Sequence, residues 1–177
     1  MKKIILTALV AIASITANAQ VWVGGQLGFS VTNNDATDKN LTEFTIAPEI
    51  GYSLSDKWDI AIALGDKYSK PEDFDATNDF FVNPYARYTF VKLDKVNFFV
   101  DGGFEYNYVK VGDEKANGFG INIKPGVAVN LNEKVSFVAH VGEFGWASAK
   151  AKNAKSVQSV DLGLNLTAVD FGLYFNF

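Results

Sequence analysis

The chain closes on "AVDFGLYFNF", residues 168–177, in which Val169, Phe171, Leu173, Phe175 and Phe177 alternate with Asp170, Gly172, Tyr174 and Asn176. Strict alternation puts one set of side chains on each face of a strand. Chain ends ordinarily fray, so a last strand with a wholly apolar face needs something to hold it. A sheet closed on itself does so, because its final strand then pairs with its first.

The other end of the sequence points to export. Lys2 and Lys3 precede an apolar run, Ile4 to Ile15, followed by Thr16, Ala17, Asn18 and Ala19. A charged start, a short apolar core and an Ala-x-Ala site read as a secretory signal over residues 1–19, with the mature chain starting at Gln20. The run is too short to cross about 30 Å of hydrocarbon. With no Cys in the chain, a lipid-anchored lipoprotein is excluded.

Taking 19 residues from 177 leaves 158, enough for one domain over 20–177. Loss of Lys2 and Lys3 moves the formal charge from −4 to −6, too acidic for a general nucleic-acid partner. Without disulfides, packing or a membrane has to support the fold. The 15 Phe, 7 Tyr, 3 Trp and 15 Gly favour strands and close backbone approach over helices.

Three short stretches resemble one another: "SLSDKW" at 53–58, "VKLDKV" at 91–96 and "NLNEKV" at 130–135. Each has the composition of a tight turn between strands. Longer polar stretches lie between them, at 32–42, 66–79, 110–118 and 147–157. Short turns at one end and long loops at the other divide the chain into eight strands, expected at 21–31, 43–53, 58–65, 80–91, 96–109, 119–131, 135–146 and 158–177.

Within these strands one face is apolar and uncharged, with residues such as Leu27, Phe44, Ile62, Phe80, Phe104, Ile123 and Phe137. The opposite face holds Gly and Ala together with Glu49, Asp59, Arg87, Asp101, Glu105, Lys124, His140 and Asp170. A soluble secreted binding barrel would turn the apolar face inward. An eight-stranded interior is only just wide enough for side chains, and this many branched and aromatic groups exceed it. A membrane barrel inverts the arrangement, with large apolar groups on lipid and small or polar ones in the lumen. The pattern therefore reads as all-β: an eight-stranded antiparallel up-and-down transmembrane β-barrel.

The signal with its Ala-Asn-Ala-Gln junction, "YSLSDKWDI" (52–60), "VNPYARYTF" (82–90) and the terminal "FGLYFNF" resemble the small eight-stranded outer-membrane barrels of Gram-negative bacteria, the class of outer-membrane proteins A and X. The resemblance implies an integral outer-membrane location with both termini in the periplasm and four loops outside. Outer-membrane lipids, lipopolysaccharide and the barrel-assembly machinery are the partners it implies. Phe171, Leu173, Phe175 and Phe177 resemble the C-terminal signal read by that machinery. A monomer without cofactor or nucleic-acid partner is expected.

One irregularity is visible. Val160, Leu162, Leu164 and Leu166 occupy even positions and Val169 to Phe177 odd ones, so the apolar face changes parity near Thr167 and Ala168, as a one-residue bulge would make it.

The polar face supplies the candidate site, a lumenal charge network of Glu49, Arg87, Asp101, Glu105, Lys124, His140 and Asp170. Charges in a narrow bore are costly unless paired, so a packed polar core is expected rather than an ion path. His140 is the only histidine, which rules out a multi-histidine metal centre. Lipid A deacylases on similar barrels use a His and Ser pair, but His140 is followed by Val141, Gly142 and Glu143 with no serine two positions on, and Ser136 belongs to the lumen. No catalytic or metal residues are therefore assigned. The acidic stretch 66–79 fits a calcium loop only loosely, and Lys150, Lys152 and Lys155 could meet lipopolysaccharide phosphates. The expected function is non-catalytic, serving membrane integrity or surface interaction through the loops. A narrow porin-like channel for small solutes and a soluble secreted binding barrel are the alternatives.

Overall fold

The computed structural model describes residues 20–34, 39–71, 75–112, 114–151, 157–163 and 169–177; the expected signal at 1–19 lies outside them. The strands are β1 (Val21–Asn34), β2 (Lys39–Ser53), β3 (Trp58–Pro71), β4 (Thr77–Lys92), β5 (Val96–Val111), β6 (Glu114–Asn130), β7 (Val135–Val141), β8 (Glu143–Ala151), β9 (Val157–Gly163) and β10 (Val169–Asn176). Both β7 and β8 pair with β6, while β9 pairs with β8 and β10 with β7. The last four segments are thus halves of two staves. Antiparallel pairing of β1 with β10 closes a barrel of eight staves.

The end of the chain is held as its alternation requires. Trp22 to Leu27 pair with Asn176 to Phe171, and the Phe177 N–H donates to the Val21 carbonyl at 3.1 Å. The three similar turns also share a geometry: the N–H groups of Leu54, Leu93 and Leu131 donate to the carbonyls of Trp58, Val96 and Val135, at 2.8, 2.9 and 2.9 Å.

One expectation, the extent of the loops, needs correction. Most of the polar stretches 32–42, 66–79 and 110–118 is paired strand rather than loop: β1 and β2 stay paired up to Asn34↔Lys39, β3 and β4 up to Ser69↔Thr77, and β5 and β6 up to Val111↔Glu114. Beside that last pair Gly112 has φ 56°. A ladder depends on backbone hydrogen bonds rather than on hydropathy, so polar composition did not end the strands. The staves therefore continue beyond the apolar belt.

The parity change expected near Thr167 and Ala168 lies outside the described residues. The neighbouring stave carries a one-residue bulge of its own. Gly126 pairs with His140 and Ile123 with Phe144, so Lys124 and Pro125 stand opposite Val141, Gly142 and Glu143. Gly142 has φ 76°, which L side chains rarely adopt. Above it the outer face moves to even positions, Phe144 and Trp146. In the register Phe144 stands opposite Leu162 and Trp146 opposite Val160.

Large apolar side chains point outward and are exposed, including Leu27, Ile62, Phe104, Ile121, Ile123 and Leu173. This is the reverse of a soluble binding barrel. Aromatic residues edge the belt, with Tyr52, Trp58, Phe90, Phe98, Phe175 and Phe177 near the short turns and Phe44, Phe80, Tyr106 and Phe119 toward the other end. On β6 the outward apolar run from Val129 to Phe119 covers roughly 33 Å of strand at ~3.3 Å per residue. Tilted by roughly 40°, it spans about 25 Å, the height of an outer-membrane apolar band.

Candidate functional site

Inside the barrel, strand alternation turns Glu49, Arg87, Asp101 and His140 into the lumen at similar height, all of them buried. Arg87 and Asp101 are direct partners across β4 and β5, which lets the guanidinium meet the carboxylate edge-on. Nε donates to Asp101 Oδ1 at 2.7 Å and Nη2 to Oδ2 at 2.8 Å. His140 Nε2 lies 2.8 Å from the same Oδ2. An ionised carboxylate can only accept, so Nε2 is the donor in this contact.

Glu49 belongs to the same layer. The hydroxyls of Tyr85 and Tyr174 donate to its Oε2 at 2.5 and 2.8 Å. Arg87 Nη2 reaches the Tyr174 oxygen at 3.4 Å, so one connected set runs from Glu49 to His140. Phe99 covers the guanidinium face 3.9 Å away, and the rings of Trp22, Tyr174 and Tyr85 lie within 5.5, 5.1 and 5.7 Å. The only arginine of the chain is ion-paired on its edge and sits among aromatic faces.

Sequence reasoning missed this aromatic cage. Trp22 lies between Val21 and Val23, Phe99 between Phe98 and Val100, and Tyr174 between Leu173 and Phe175. Each is a large ring at inward parity, and that parity is the signal that could have found it. The glycines make room for them. A Cβ on Gly24 would sit 2.0 Å from the Tyr174 ring, one on Gly51 2.1 Å from Trp22 and one on Gly126 2.3 Å from Phe99. Gly24→Ala should therefore displace Tyr174 and lower stability by roughly 1–3 kcal/mol, measured by urea unfolding of the refolded protein. An unchanged midpoint would mean that the ring is loosely packed.

The other charged candidates lie outside this layer. Lys124 pairs with Glu143 at 3.3 Å. Glu105 accepts from Asn107 at 3.0 Å, whose amide also reaches Asp79. Asp170 stands opposite His140 in the register and, like Glu105 and Lys124, lines the cavity on the far side from the short turns. That cavity, about 370 Å³, has Glu49, Tyr85, Asp101 and His140 at its inner end. A second cavity, about 580 Å³, opens among the short turns and ends on Trp22, Arg87, Phe99 and Tyr174. The Arg87 layer separates the two. No group of three or more His, Cys, Asp or Glu suited to hold a metal ion occurs among the described residues.

A closed antiparallel barrel with an apolar exterior and a packed polar and aromatic lumen is the architecture of a membrane-spanning β-barrel. Residues 4–177 match the outer membrane protein beta-barrel domain, and the chain belongs to that family of integral outer-membrane proteins. No curated protein sequence gives a significant match. Among solved structures, Neisserial surface protein A is similar at 16% identity and a TM-score of 0.54, over 89% of this chain and 95% of that one. OprG from Pseudomonas aeruginosa is similar at 12% identity and a TM-score of 0.53, over 90% and 97%. The N-terminal barrel domain of Pseudomonas aeruginosa OprF gives 16% identity and a TM-score of 0.50, over 89% and 98%. At these identities the likeness is one of fold.

Proposed function

We infer that the protein is a non-catalytic, closed-lumen barrel of the outer membrane, serving membrane integrity or surface contact through its outer rim. The observation that carries this reading is the Arg87 layer, which fills the bore between two cavities with ion-paired and ring-packed groups. The short turns and both termini face the periplasm, and the longer staves project outward among outer-membrane lipids and lipopolysaccharide. Cleavage after Ala19 leaves Gln20 at the start of the mature chain, whose carbonyl accepts from Ser53 N–H at 2.7 Å.

Planar-bilayer recordings of the refolded protein should show no steady open current. A stable ohmic conductance would overturn the closed lumen and favour the second reading, a narrow channel. What speaks for a channel is that polar cavities reach the Arg87 layer from both ends.

Phe171, Leu173, Phe175 and Phe177 are the C-terminal assembly signal in this reading. Deletion of Phe177 should lower outer-membrane yield in cells far more than refolding into detergent. It removes one exposed ring and one hydrogen bond at the rim, a small loss to the finished barrel. Equal yields in cells would remove the signal role.

A further inference from the structure

We propose that the outer face of β5, β6 and β8, at the rim away from the short turns, is a docking site for a phosphorylated glycolipid of the outer leaflet. The register arranges this face in layers. Phe104, Ile121 and Trp146 share one rung, Tyr106, Phe119 and Ser148 the next, and Tyr108, Asn117 and Lys150 the one beyond. Lys110 and Lys115 face each other on the rung above.

From belt to rim the surface thus passes from apolar rings, through hydroxyl and amide groups, to cations. An acylated, phosphorylated headgroup carries the matching sequence of chemistry. The rings are in mutual contact, Phe104 and Phe119 at 6.4 Å between centroids and Phe119 and Trp146 at 5.5 Å, so they form a continuous wall for acyl chains.

The lysines themselves call for an anion. Like charges directly opposite on an antiparallel pair destabilise it, and Lys110 and Lys115 are such a pair, both exposed. Lys150 stands diagonal to Lys115, within the reach of one phosphate group. On β4, β5, β6 and β8 no outward position above the belt is a carboxylate, and alternation turns Glu114 to the opposite face. Two features flank the set, Gly112 at φ 56° beside the last β5–β6 pair and the bulge at Gly142 that brings Trp146 and Lys150 onto the outer face.

The inference rests on the periplasmic placement of the short turns, and its test separates the two. Fluorescent diphosphoryl lipid A is titrated against the whole mature protein in zwitterionic detergent micelles and read by anisotropy. The triple variant Lys110→Gln, Lys115→Gln, Lys150→Gln should bind roughly a hundredfold more weakly, about tenfold or less for each lost cation. The control triple Lys57→Gln, Lys95→Gln, Lys134→Gln, at the opposite rim, should bind as the parent does. Equal binding of the first triple, equal binding of dephosphorylated lipid A, or full displacement by inorganic phosphate at the lipid's own concentration would each overturn the glycolipid site.

Orientation is read independently from Lys115→Cys, the single thiol in an otherwise Cys-free chain, with a membrane-impermeant maleimide on intact cells. Labelling from outside with unchanged lipid binding in the first triple sinks the lysine site alone. Labelling only after the periplasm is opened sinks the orientation and the site with it.

Discussion

Arg87→Ala should lower the unfolding free energy of the refolded barrel by about 3–5 kcal/mol, the range for removing one partner of a buried ion pair. Arg87 is 5% exposed and Asp101 5%, so water cannot replace the lost guanidinium without opening the lumen. Asp101 would keep His140 but lose both short N–H contacts, and Tyr174 would lose the cation beside its hydroxyl. The penalty comes mainly from the stranded carboxylate. Adding Asp101→Asn to Arg87→Ala should therefore recover part of the loss, which makes the double variant more stable than the two single effects combined. Urea unfolding followed by tryptophan fluorescence suits the measurement, since Trp22 stacks on Tyr174 at 4.7 Å within the same layer. A loss below about 1 kcal/mol would mean a hydrated bore and would put the channel reading first.

The elements of this layer were unequally legible in the sequence. Glu49, Arg87, Asp101 and His140 could be placed in the lumen because each interrupts an apolar alternation with a polar or charged group, and period-two patterning survives in a sheet whatever its tilt. Which charge meets which could not be read, because pairing depends on the stagger between staves. Lys124 is the direct cross-strand partner of Asp101, yet its ammonium turns to Glu143 and Asp101 takes Arg87. The aromatic cage was hidden for another reason: Trp22 and Phe99 look like members of the lipid face unless parity is counted residue by residue, and Tyr174, although opposite the terminal apolar stripe, shows no partner in the sequence. The small lumenal glycines and these rings are two halves of one packing device, and the sequence displays only the glycines plainly.

Boundaries failed where composition and backbone pairing part company. Polar residues such as Lys67, Asp79 and Lys110 suggested loops, but they sit on paired rungs of β3, β4 and β5. The parity change at Gly142 was equally available in principle, since Phe144 and Trp146 are out of step with Val135, Phe137 and Val141. In the register Val160 and Leu162 of the last stave stand opposite Trp146 and Phe144. In a barrel a bulge in one strand re-registers the next, so parity has to be read across pairs.

The membrane assignment makes a second large prediction, and it depends on depth. Ile123 is 53% exposed on the outer face of β6 while the adjacent Asn122 is 6% exposed and lumenal. Ile123 lies midway along the outward apolar run, so Ile123→Arg places a guanidinium near the bilayer centre and should cost roughly 2–4 kcal/mol in lipid vesicles. Ser148 faces the same way but stands higher, on the rung of Phe119 just above Trp146. Ser148→Arg should therefore cost only about 0–1 kcal/mol, as expected near the interface. The difference belongs to the bilayer and should shrink in short-chain detergent, where water reaches the whole belt. Equal costs for the two variants in lipid would mean that Ile123 does not face hydrocarbon, and the inward and outward faces of every stave would have to be exchanged.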